Sequence, residues 1–207
     1  MLNAVEATFR SPPVELMTTV WRRRRNRLDR EAYRGSFSFA VTVTTWQRIR
    51  AFDDGRVVDM CRALLEDAAS TCGFSLHAFC FMPDHLHLLV EGSDASDLAK
   101  FIKSFKQGSS YEYRQAKGQP LWQKSYYDHV IRNEDDERES FLYIQQNPLQ
   151  AGLVENIEEY PFLGGAWIQG MLGGDLKVAS TATAARPGEV DASVRRMRST
   201  AAVKGRR

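Results

Sequence analysis

The spacing of apolar residues predicts a central region in which strands and helices alternate. Residues 35–46 and 74–82 are rich in β-branched and aromatic side chains, which favour strands. Residues 57–69 and 98–105 place apolar side chains three and four positions apart, which is the spacing of an amphipathic helix. We expect Gly73 to end the first helix and Asp94 or Ser96 to cap the second.

Turn and capping signals place three further elements. Pro83-Asp84 follows the second strand, and an apolar segment begins at once at residue 85, so the sequence predicts a β-hairpin. Residues 126–131 predict a short fourth strand. Asn133 and the acidic residues 135–137 suit the start of a third helix, where negative charge meets the positive end of the helix dipole. We expect that helix to run to about Asn147, because Pro148 would end or kink it.

The predicted order is strand, helix, strand, strand, helix, short strand, helix. This order favours an α+β fold, a ferredoxin-like (RRM-like) sandwich in which an antiparallel sheet carries helices on one face. We assign this domain to residues 35–170. Residues 1–34 are predicted to form a basic N-terminal arm. Residues 171–207 contain almost no large apolar side chains, and they are predicted to form a disordered basic tail.

Positive charge is concentrated in the arm and the tail, although the formal net charge of the 207-residue chain is only +2. Residues 10–34 contain eight arginines, of which Arg22, Arg23, Arg24 and Arg25 are consecutive, and residues 171–207 contain eight basic residues. Two interpretations stay open. The charges form a solvated, solubilising surface, or they contact phosphates and displace counterions from a nucleic acid.

Composition also bears on location. The sequence has no apolar run of about 18 residues, so no transmembrane helix and no membrane partner are expected. No apolar segment of the signal-peptide type stands near residue 1. The three cysteines, Cys61, Cys72 and Cys80, are few and odd in number, which favours reduced thiols and a cytoplasmic location.

Two of the four histidines stand in the third predicted strand, separated by one apolar residue. Because side chains of a strand alternate between its faces, His85 and His87 should emerge together, opposite Leu86 and Leu88. Two neutral imidazoles on one face can hold one divalent metal ion. The alternative for this pair alone is two structural histidines on a half-buried strand.

The third helix offers residues that would complete such a site. Tyr143 and Asn147 are four positions apart and therefore share a helix face. An amide oxygen of Asn147 could bind the metal, and the phenol of Tyr143 could act as a nucleophile. A phenol ionises near pH 10, so a neighbouring cation is needed to favour the phenolate. The set therefore suits phosphoryl transfer through a tyrosine. Tyr126 and Tyr127 are rivals for that role, but neither has a ligand-type residue one helical turn away.

Three segments carry a resemblance to a known family. Residues 82–90 resemble the HUH motif, two histidines around a hydrophobic residue, of single-tyrosine transposases. Residues 121–133 resemble a second block of that family. Residues 143–154, followed by Tyr160-Pro161, resemble a third. The three blocks in this order are similar to those of REP-associated tyrosine transposases, which are related to the transposases of small insertion sequences that move as single strands. The resemblance covers about residues 35–167.

The resemblance implies a DNA endonuclease and strand-transferase. Such an enzyme cuts single-stranded DNA beside hairpins and forms a 5′-phosphotyrosine with a free 3′-hydroxyl. By residue-wise matching, His85 and His87 correspond to two metal ligands, Tyr143 to the nucleophile and Asn147 to the third ligand. Other branches of the class carry a glutamine at that position. We expect Mg²⁺ or Mn²⁺ as the cofactor.

Several residues are candidates for contact with single-stranded or hairpin DNA. Basic side chains would follow the phosphates, and an aromatic ring would stack on unpaired bases; the candidates are Arg22, Arg23, Arg24, Arg25, Lys100, Lys103, Lys106 and Trp122. Monomer and homodimer both stay open. One alternative is a non-catalytic DNA-hairpin-binding protein derived from a transposase. Another is a zinc-dependent hydrolase, which would need a further His, Cys or acidic ligand that the sequence does not clearly offer.

Overall fold

An antiparallel five-stranded sheet forms the centre of residues 33–171, the part of the chain that the computed structural model describes. Its strands are β1 (Ser38–Thr44), β2 (Phe74–Met82), β3 (His85–Gly92), β4 (Tyr127–Val130) and β5 (Leu163–Gly164). They lie side by side in the order β4-β1-β3-β2-β5. The helices are α1 (Gly55–Cys72), α2 (Leu98–Lys117), α3 (Glu134–Gln150) and α4 (Ala166–Met171). Short 3₁₀ turns cover Trp46–Arg48, Ala51–Asp53 and Ile157–Glu159.

The larger hydrophobic core lies between one face of the sheet and helices α1 and α2. Alternate residues of the three central strands point into it, among them Val41, Phe81 and Leu88. The apolar stripes of α1 and α2 cover them, and the stripe that contains Phe101 and Phe105 is fully buried. Burial of apolar surface on this scale is the dominant favourable term in the stability of such a domain.

A second, smaller core covers part of the opposite face. It contains Ala78, Cys80 and Met82 of β2, Leu89 of β3 and two helical residues, Ile144 of α3 and Ile168 of α4. The predicted α+β sandwich with an antiparallel sheet is therefore confirmed, and α1 and α2 lie together on one face as expected. Helices α3 and α4 add a cover on the other face that the expectation of helices on one face did not include.

Polar caps define the helix ends. Asp54 and Asn133 each accept a hydrogen bond from a backbone N–H in the first turn of α1 and α3. The cap of α2 is Asp97, whose carboxylate accepts from the N–H of Lys100 at 3.0 Å, so the prediction of Asp94 or Ser96 was wrong. Gly73 ends α1 as predicted, with a left-handed φ of 72° that glycine adopts without steric penalty.

Pro148 does not end α3, which continues to Gln150. The expected helix end near Asn147 was therefore wrong by three residues. Proline lies in the last turn, where its missing N–H removes a single helical hydrogen bond. The N–H of Ala151 reaches the carbonyl of Asn147 at 2.9 Å and closes the helix beyond it.

The hairpin of β2 and β3 forms where it was predicted. Met82 pairs with His85, so Pro83 and Asp84 are the two residues of the turn. The arm and the tail assigned to residues 1–34 and 171–207, including Arg22, Arg23, Arg24 and Arg25, lie outside the described residues except at positions 33, 34 and 171. Within residues 33–171, no helix is both long and apolar enough to cross a membrane.

Helix α3 contains one buried hydroxyl for which the described part of the chain offers no hydrogen-bond partner, that of Ser140. An unsatisfied buried hydroxyl is destabilising, and alanine is also a better helix former than serine. We expect Ser140→Ala to raise the free energy of unfolding by about 1 kcal/mol in chemical denaturation. Ser104→Ala, at an exposed position within α2, is the control and should gain only about 0.5 kcal/mol from helix propensity. Equal gains for the two variants would show that Ser140 has a partner, such as a buried water.

Candidate active site

The register of the sheet gathers polar side chains on the face that α3 covers. Thr42 of β1 pairs with His87 on one side and with Tyr127 on the other, and Thr44 pairs with His85. Because paired residues of neighbouring strands share a face, these side chains form two adjacent polar rows. The predicted emergence of both imidazoles on one face is therefore confirmed, and Leu86 and Leu88 lie in the larger core on the opposite side.

The two imidazoles are arranged as a pair of metal ligands would be. Nε2 of His85 lies 2.9 Å from Nε2 of His87, and the ring planes are nearly perpendicular, at 89°. Two ligand atoms at right angles on an octahedral Mg²⁺, each about 2.1 Å from the ion, lie about 3 Å apart. The observed separation therefore fits one shared divalent ion.

Each imidazole is held through its other ring nitrogen. Nδ1 of His85 is 2.5 Å from a carboxylate oxygen of Asp84, and Nδ1 of His87 is 2.9 Å from the hydroxyl of Thr42. A carboxylate can only accept, so Nδ1 of His85 donates and its Nε2 is left with a lone pair. Outer contacts of this kind orient histidine ligands in metal sites and raise their basicity.

Burial keeps the second imidazole neutral. His87 is only 3% exposed, and this burial, together with the neighbouring His85, holds the pKa of His87 well below its ordinary value. A neutral imidazole is the form that binds a metal ion. Burial by itself would raise the pKa of Asp84, but hydrogen bonds from His85 and Arg48 outweigh it, and the net shift is downward. The Asp84 carboxylate thus stays ionised beside His85.

Cys80 is the register partner of His87 but has the character of a structural thiol. It is fully buried, and burial raises its pKa far above the ordinary value. Cys80 packs in the smaller core, where its Sγ lies 3.6 Å from the sulfur of Met82. Residues 33–171 hold no group of three or more His, Cys, Asp and Glu side chains that could bind a metal ion.

Helix α3 brings Tyr143 to the histidines. The ring of Tyr143 meets the ring of His87 edge to face, with centroids 5.2 Å apart and planes at 83°. The first turn of α3 is fastened to the sheet by Asp136, whose carboxylate oxygens both lie 2.8 Å from Nε2 of His129 on β4. Asp136 and Tyr143 are seven positions apart, two turns along the same helix face. This contact therefore helps to fix the position of the tyrosine.

An open cavity of about 410 Å³ joins these groups. It is lined by residues from β1, β3, β4, α3 and the loop after β1: Thr42, Thr44, Arg48, His85, His87, Tyr127 and Tyr143. Both candidate ligands and the candidate nucleophile thus face one space. Tyr127, which is 42% exposed, faces it as well, whereas Tyr126 packs against the larger core.

Asn147 lies one turn beyond Tyr143 and is half-buried. Its side-chain nitrogen donates to the carbonyl of Tyr143 at 3.2 Å. This bond does not use the amide oxygen, which is the atom that a metal ligand would supply. Asn147 is not among the described residues that line the cavity, so its role as a ligand stays a prediction.

Trp122 lies in the larger core. It is 6% exposed, its ring contacts Phe52 and Phe105 with centroids 5.5 Å away in each case, and its indole N–H donates to the hydroxyl of Ser109 at 2.8 Å. A base has no access to the ring in this arrangement. The predicted stacking of Trp122 on DNA was therefore wrong. The sequence alone does not show whether a tryptophan packs in the core or is exposed and free to stack on a base.

The predicted DNA-contacting lysines lie on α2, which covers the face of the sheet opposite to the histidines. Lys103 and Lys106 line a groove of about 390 Å³ together with Lys124 and Tyr126, and Lys100 is exposed beside it. The ammonium of Lys106 also donates to the carbonyls of residues 123, 124 and 125 at 2.7–3.3 Å. Lys106 thus holds one wall of the groove in place.

Three features of the site were not predicted from the sequence. Arg48, Thr42 and Asp84 support or line the cavity, yet Thr42 and Arg48 stand about 40 residues from the histidines in the chain. Only Asp84 could have been recognised from the sequence, because it stands directly before His85, where a carboxylate can pair with the histidine. Of the remaining histidines, His77 packs away from the cavity, with its ring stacked on Trp167 at 4.2 Å and its Nε2 2.9 Å from Glu91.

Comparison with known proteins agrees with this geometry. The family model for "Transposase IS200 like" matches residues 35–147, more than half of the chain. A REP-associated tyrosine transposase of Escherichia coli strain K12 is 31% identical over 93 residues, covering 43% of this chain and 53% of the relative. A Haemophilus influenzae protein, provisionally named a REP-associated tyrosine transposase, is 29% identical over 105 residues. The match covers 43% of this chain and 57% of that relative. The chain thus spans little more than half the length of these curated relatives.

A solved structure shares the fold. It is that of a REP-associated tyrosine transposase bound to a REP hairpin; its TM-score is 0.60 at 22% identity, and the match covers 80% of this chain and 96% of that one. At this identity the likeness concerns the fold alone. The family match extends from the first strand to Asn147 and includes both histidines and Tyr143. The chain therefore belongs to the IS200-like transposase family.

Proposed function

We propose that this protein is a metal-dependent endonuclease and strand-transferase that acts on single-stranded DNA at hairpins or palindromes. The observation that carries the proposal is the cavity in which the phenol ring of Tyr143 meets His87, whose Nε2 lies 2.9 Å from that of His85. The proposed nucleophile on α3 and the two proposed metal ligands on β3 thus line one open space.

Metal binding is assigned to His85, His87 and Asn147, with Mg²⁺ or Mn²⁺ as the ion. The facing Nε2 atoms and the contacts to both Nδ1 atoms support the histidine pair. When bound, such an ion polarises a phosphoryl oxygen and neutralises part of its charge. With two histidines and one amide as protein ligands, coordination positions remain for the substrate.

The covalent step is assigned to Tyr143. Its phenolic oxygen attacks the phosphorus atom while the bond from phosphorus to the 3′-oxygen breaks. The phenol loses its proton to solvent, and the departing 3′-oxygen gains one and becomes a hydroxyl. The products are a 5′-phosphotyrosine and a free 3′-hydroxyl, so the phosphodiester energy is conserved. Attack by another 3′-hydroxyl reverses these bond changes and joins a new strand.

Hairpin DNA is the proposed substrate. The named relatives are REP-associated transposases, and the solved relative holds a REP hairpin. The groove lined by Lys103, Lys106 and Lys124 supplies positive charge for the flanking strand, and Tyr126 in the same groove supplies an aromatic ring. The exposed Lys100 and the arm arginines Arg22, Arg23, Arg24 and Arg25 are proposed to add phosphate contacts.

A cytoplasmic location belongs to the same proposal. Cys61, Cys72 and Cys80 are free thiols, and burial raises the pKa of Cys61 to about 12. Free thiols are common in proteins where the surroundings are reducing.

The first test concerns the nucleophile. Tyr143→Phe removes only the phenolic oxygen, so we expect hairpin binding within about twofold of the wild type and no covalent adduct with end-labelled DNA on a denaturing gel. Tyr127→Phe is the matched control, because Tyr127 lines the same cavity, and it should retain the adduct. An adduct in Tyr143→Phe would exclude Tyr143 as the nucleophile, and one that maps to Tyr127 would place the nucleophile on β4. A wild-type protein that binds the hairpin without forming an adduct would indicate a non-catalytic hairpin-binding protein.

The second test concerns the metal ligands. We expect the protein without DNA to bind one Mn²⁺ in calorimetry, and His85→Ala or His87→Ala to weaken this binding at least tenfold, because each removes one ligand. His77→Gln is the control and should leave the affinity unchanged, since His77 packs against Trp167. Wild-type affinity in both variants would contradict the site. Circular dichroism should confirm that the variants stay folded.

The third test concerns the lysine groove. Neutralising Lys103 and Lys124 together should weaken hairpin binding and reduce the slope of log affinity against log salt by about 1 to 2, because fewer counterions are released. Lys117→Gln is the control, since its ammonium pairs with Asp54 at 3.2 Å. An unchanged slope after the double substitution would show that the groove is merely solvated.

A further inference from the structure

The loop after β1 holds two successive non-glycine residues in the left-handed region. Gln47 has a φ of 50° and Arg48 a φ of 55°. Side chains at such φ values crowd the backbone, so non-glycine residues seldom adopt them, and two in succession need support from their surroundings. Strained backbone of this kind is found most often at functional sites.

Hydrogen bonds from Thr45 provide that support. This residue is fully buried, and its hydroxyl contacts the carbonyls of Ile49 and Asp84, each at 2.8 Å. Its backbone N–H also donates to the carbonyl of Asp84 at 3.0 Å, and the N–H of Trp46 donates to the carbonyl of Leu121 at 2.8 Å. The loop is thus tied to the hairpin turn that precedes His85.

The supported loop directs Arg48 toward the cavity. Its side chain is 66% exposed, and one of its terminal nitrogens donates to Asp84 at 3.0 Å. Of the described residues that line the cavity, Arg48 alone carries a permanent positive charge. The guanidinium has five N–H groups, and the contact with Asp84 uses one of them.

We propose that Arg48 contacts a non-bridging oxygen of the phosphate that Tyr143 attacks. This inference rests on the proposed function and adds a catalytic residue to it. Arginine suits the task because its planar N–H groups match the oxygens of a phosphate. One carboxylate oxygen of Asp84 accepts from the Arg48 guanidinium and the other accepts from His85. The positive charge therefore lies beside the candidate metal ligands. The strained loop fixes this position before DNA binds, so no ordering is required at the moment of reaction.

Arg50 is a close internal control. It stands two residues further along the same segment, its side chain is 64% exposed, and it forms an ion pair of its own with Asp53 at 2.8 Å. It is not among the described residues that line the cavity. Arg50→Ala therefore removes a positive charge of similar exposure without altering the proposed contact.

Single-turnover cleavage at saturating Mn²⁺ is the first measurement. We expect Arg48→Ala to reduce the rate about 100-fold, which is the usual effect of removing one charge-stabilising donor from an active site. Arg50→Ala should stay within about twofold of the wild type. Equal rates for wild type and Arg48→Ala would overturn the inference.

A double-mutant cycle with the DNA is the second measurement. In the Tyr143→Phe background, and with a chelator present so that no divalent ion contacts the phosphate, hairpin DNA is compared with the same DNA carrying an uncharged methylphosphonate at the cleaved position. The modification should weaken binding about tenfold when Arg48 is present and less than twofold in Arg48→Ala, because the partner of the charge is then already missing. Equal losses in the two proteins would show that Arg48 does not touch this phosphate.

Mn²⁺ affinity without DNA separates direct contact from an indirect role through Asp84 and His85. We expect Arg48→Ala to bind Mn²⁺ as the wild type does. If affinity falls and excess Mn²⁺ restores the rate, Arg48 acts only by orienting the ligands, and the inference is wrong. A wild-type protein that forms no tyrosine adduct would instead overturn the proposed function. If the wild type forms the adduct but the effects of the Arg48 substitution and of the methylphosphonate on binding are additive, only the role of Arg48 is overturned.

Discussion

Asp84 contacts parts of the site that lie in different elements of the fold. Its carboxylate accepts from Nδ1 of His85 and from Arg48, and its backbone carbonyl accepts from the N–H of Thr45 and lies 2.8 Å from the Thr45 hydroxyl. One turn residue therefore orients a candidate metal ligand, a cation and a strained loop at once. Losing this carboxylate would leave the histidine tautomer unfixed and the guanidinium without its anchor, whereas the remainder of the sheet would keep its pairing.

The two faces of the sheet have separate tasks. One face is closed by α1 and α2 over a continuous apolar core, and it supplies most of the buried area. The other face is covered only in part, by α3 and α4, and its uncovered part presents Thr42, Thr44 and the two histidines to the cavity. A site on this face can hold polar groups without disturbing the main core, because strand alternation keeps the two sets of side chains apart.

Much of this arrangement could be predicted from local pattern. The periods of two and 3.6 residues located the strands and helices, and they placed His85 beside His87 and Tyr143 beside Asn147 on their own elements. What they could not give was the contact between elements. Nothing within a few residues of Thr42 indicates that it faces His87, which lies 45 positions away. The wrong prediction for Trp122 has the same cause. An aromatic residue at the end of a loop can pack inward or face solvent, and only the tertiary structure decides which.

The helix that carries Tyr143 is bound to the sheet more lightly than the other long helices. Six residues of α1 and six of α2 are buried, against three of α3: Ser140, Ile144 and Pro148. Local opening requires least free energy where the fewest apolar side chains are buried. The histidines, by contrast, stand on a central strand that is paired on both sides. The two halves of the site thus differ in rigidity. A DNA strand attached to Tyr143 would thus be held by the long helix with the fewest buried residues, while the strand that carries both histidines stays in place.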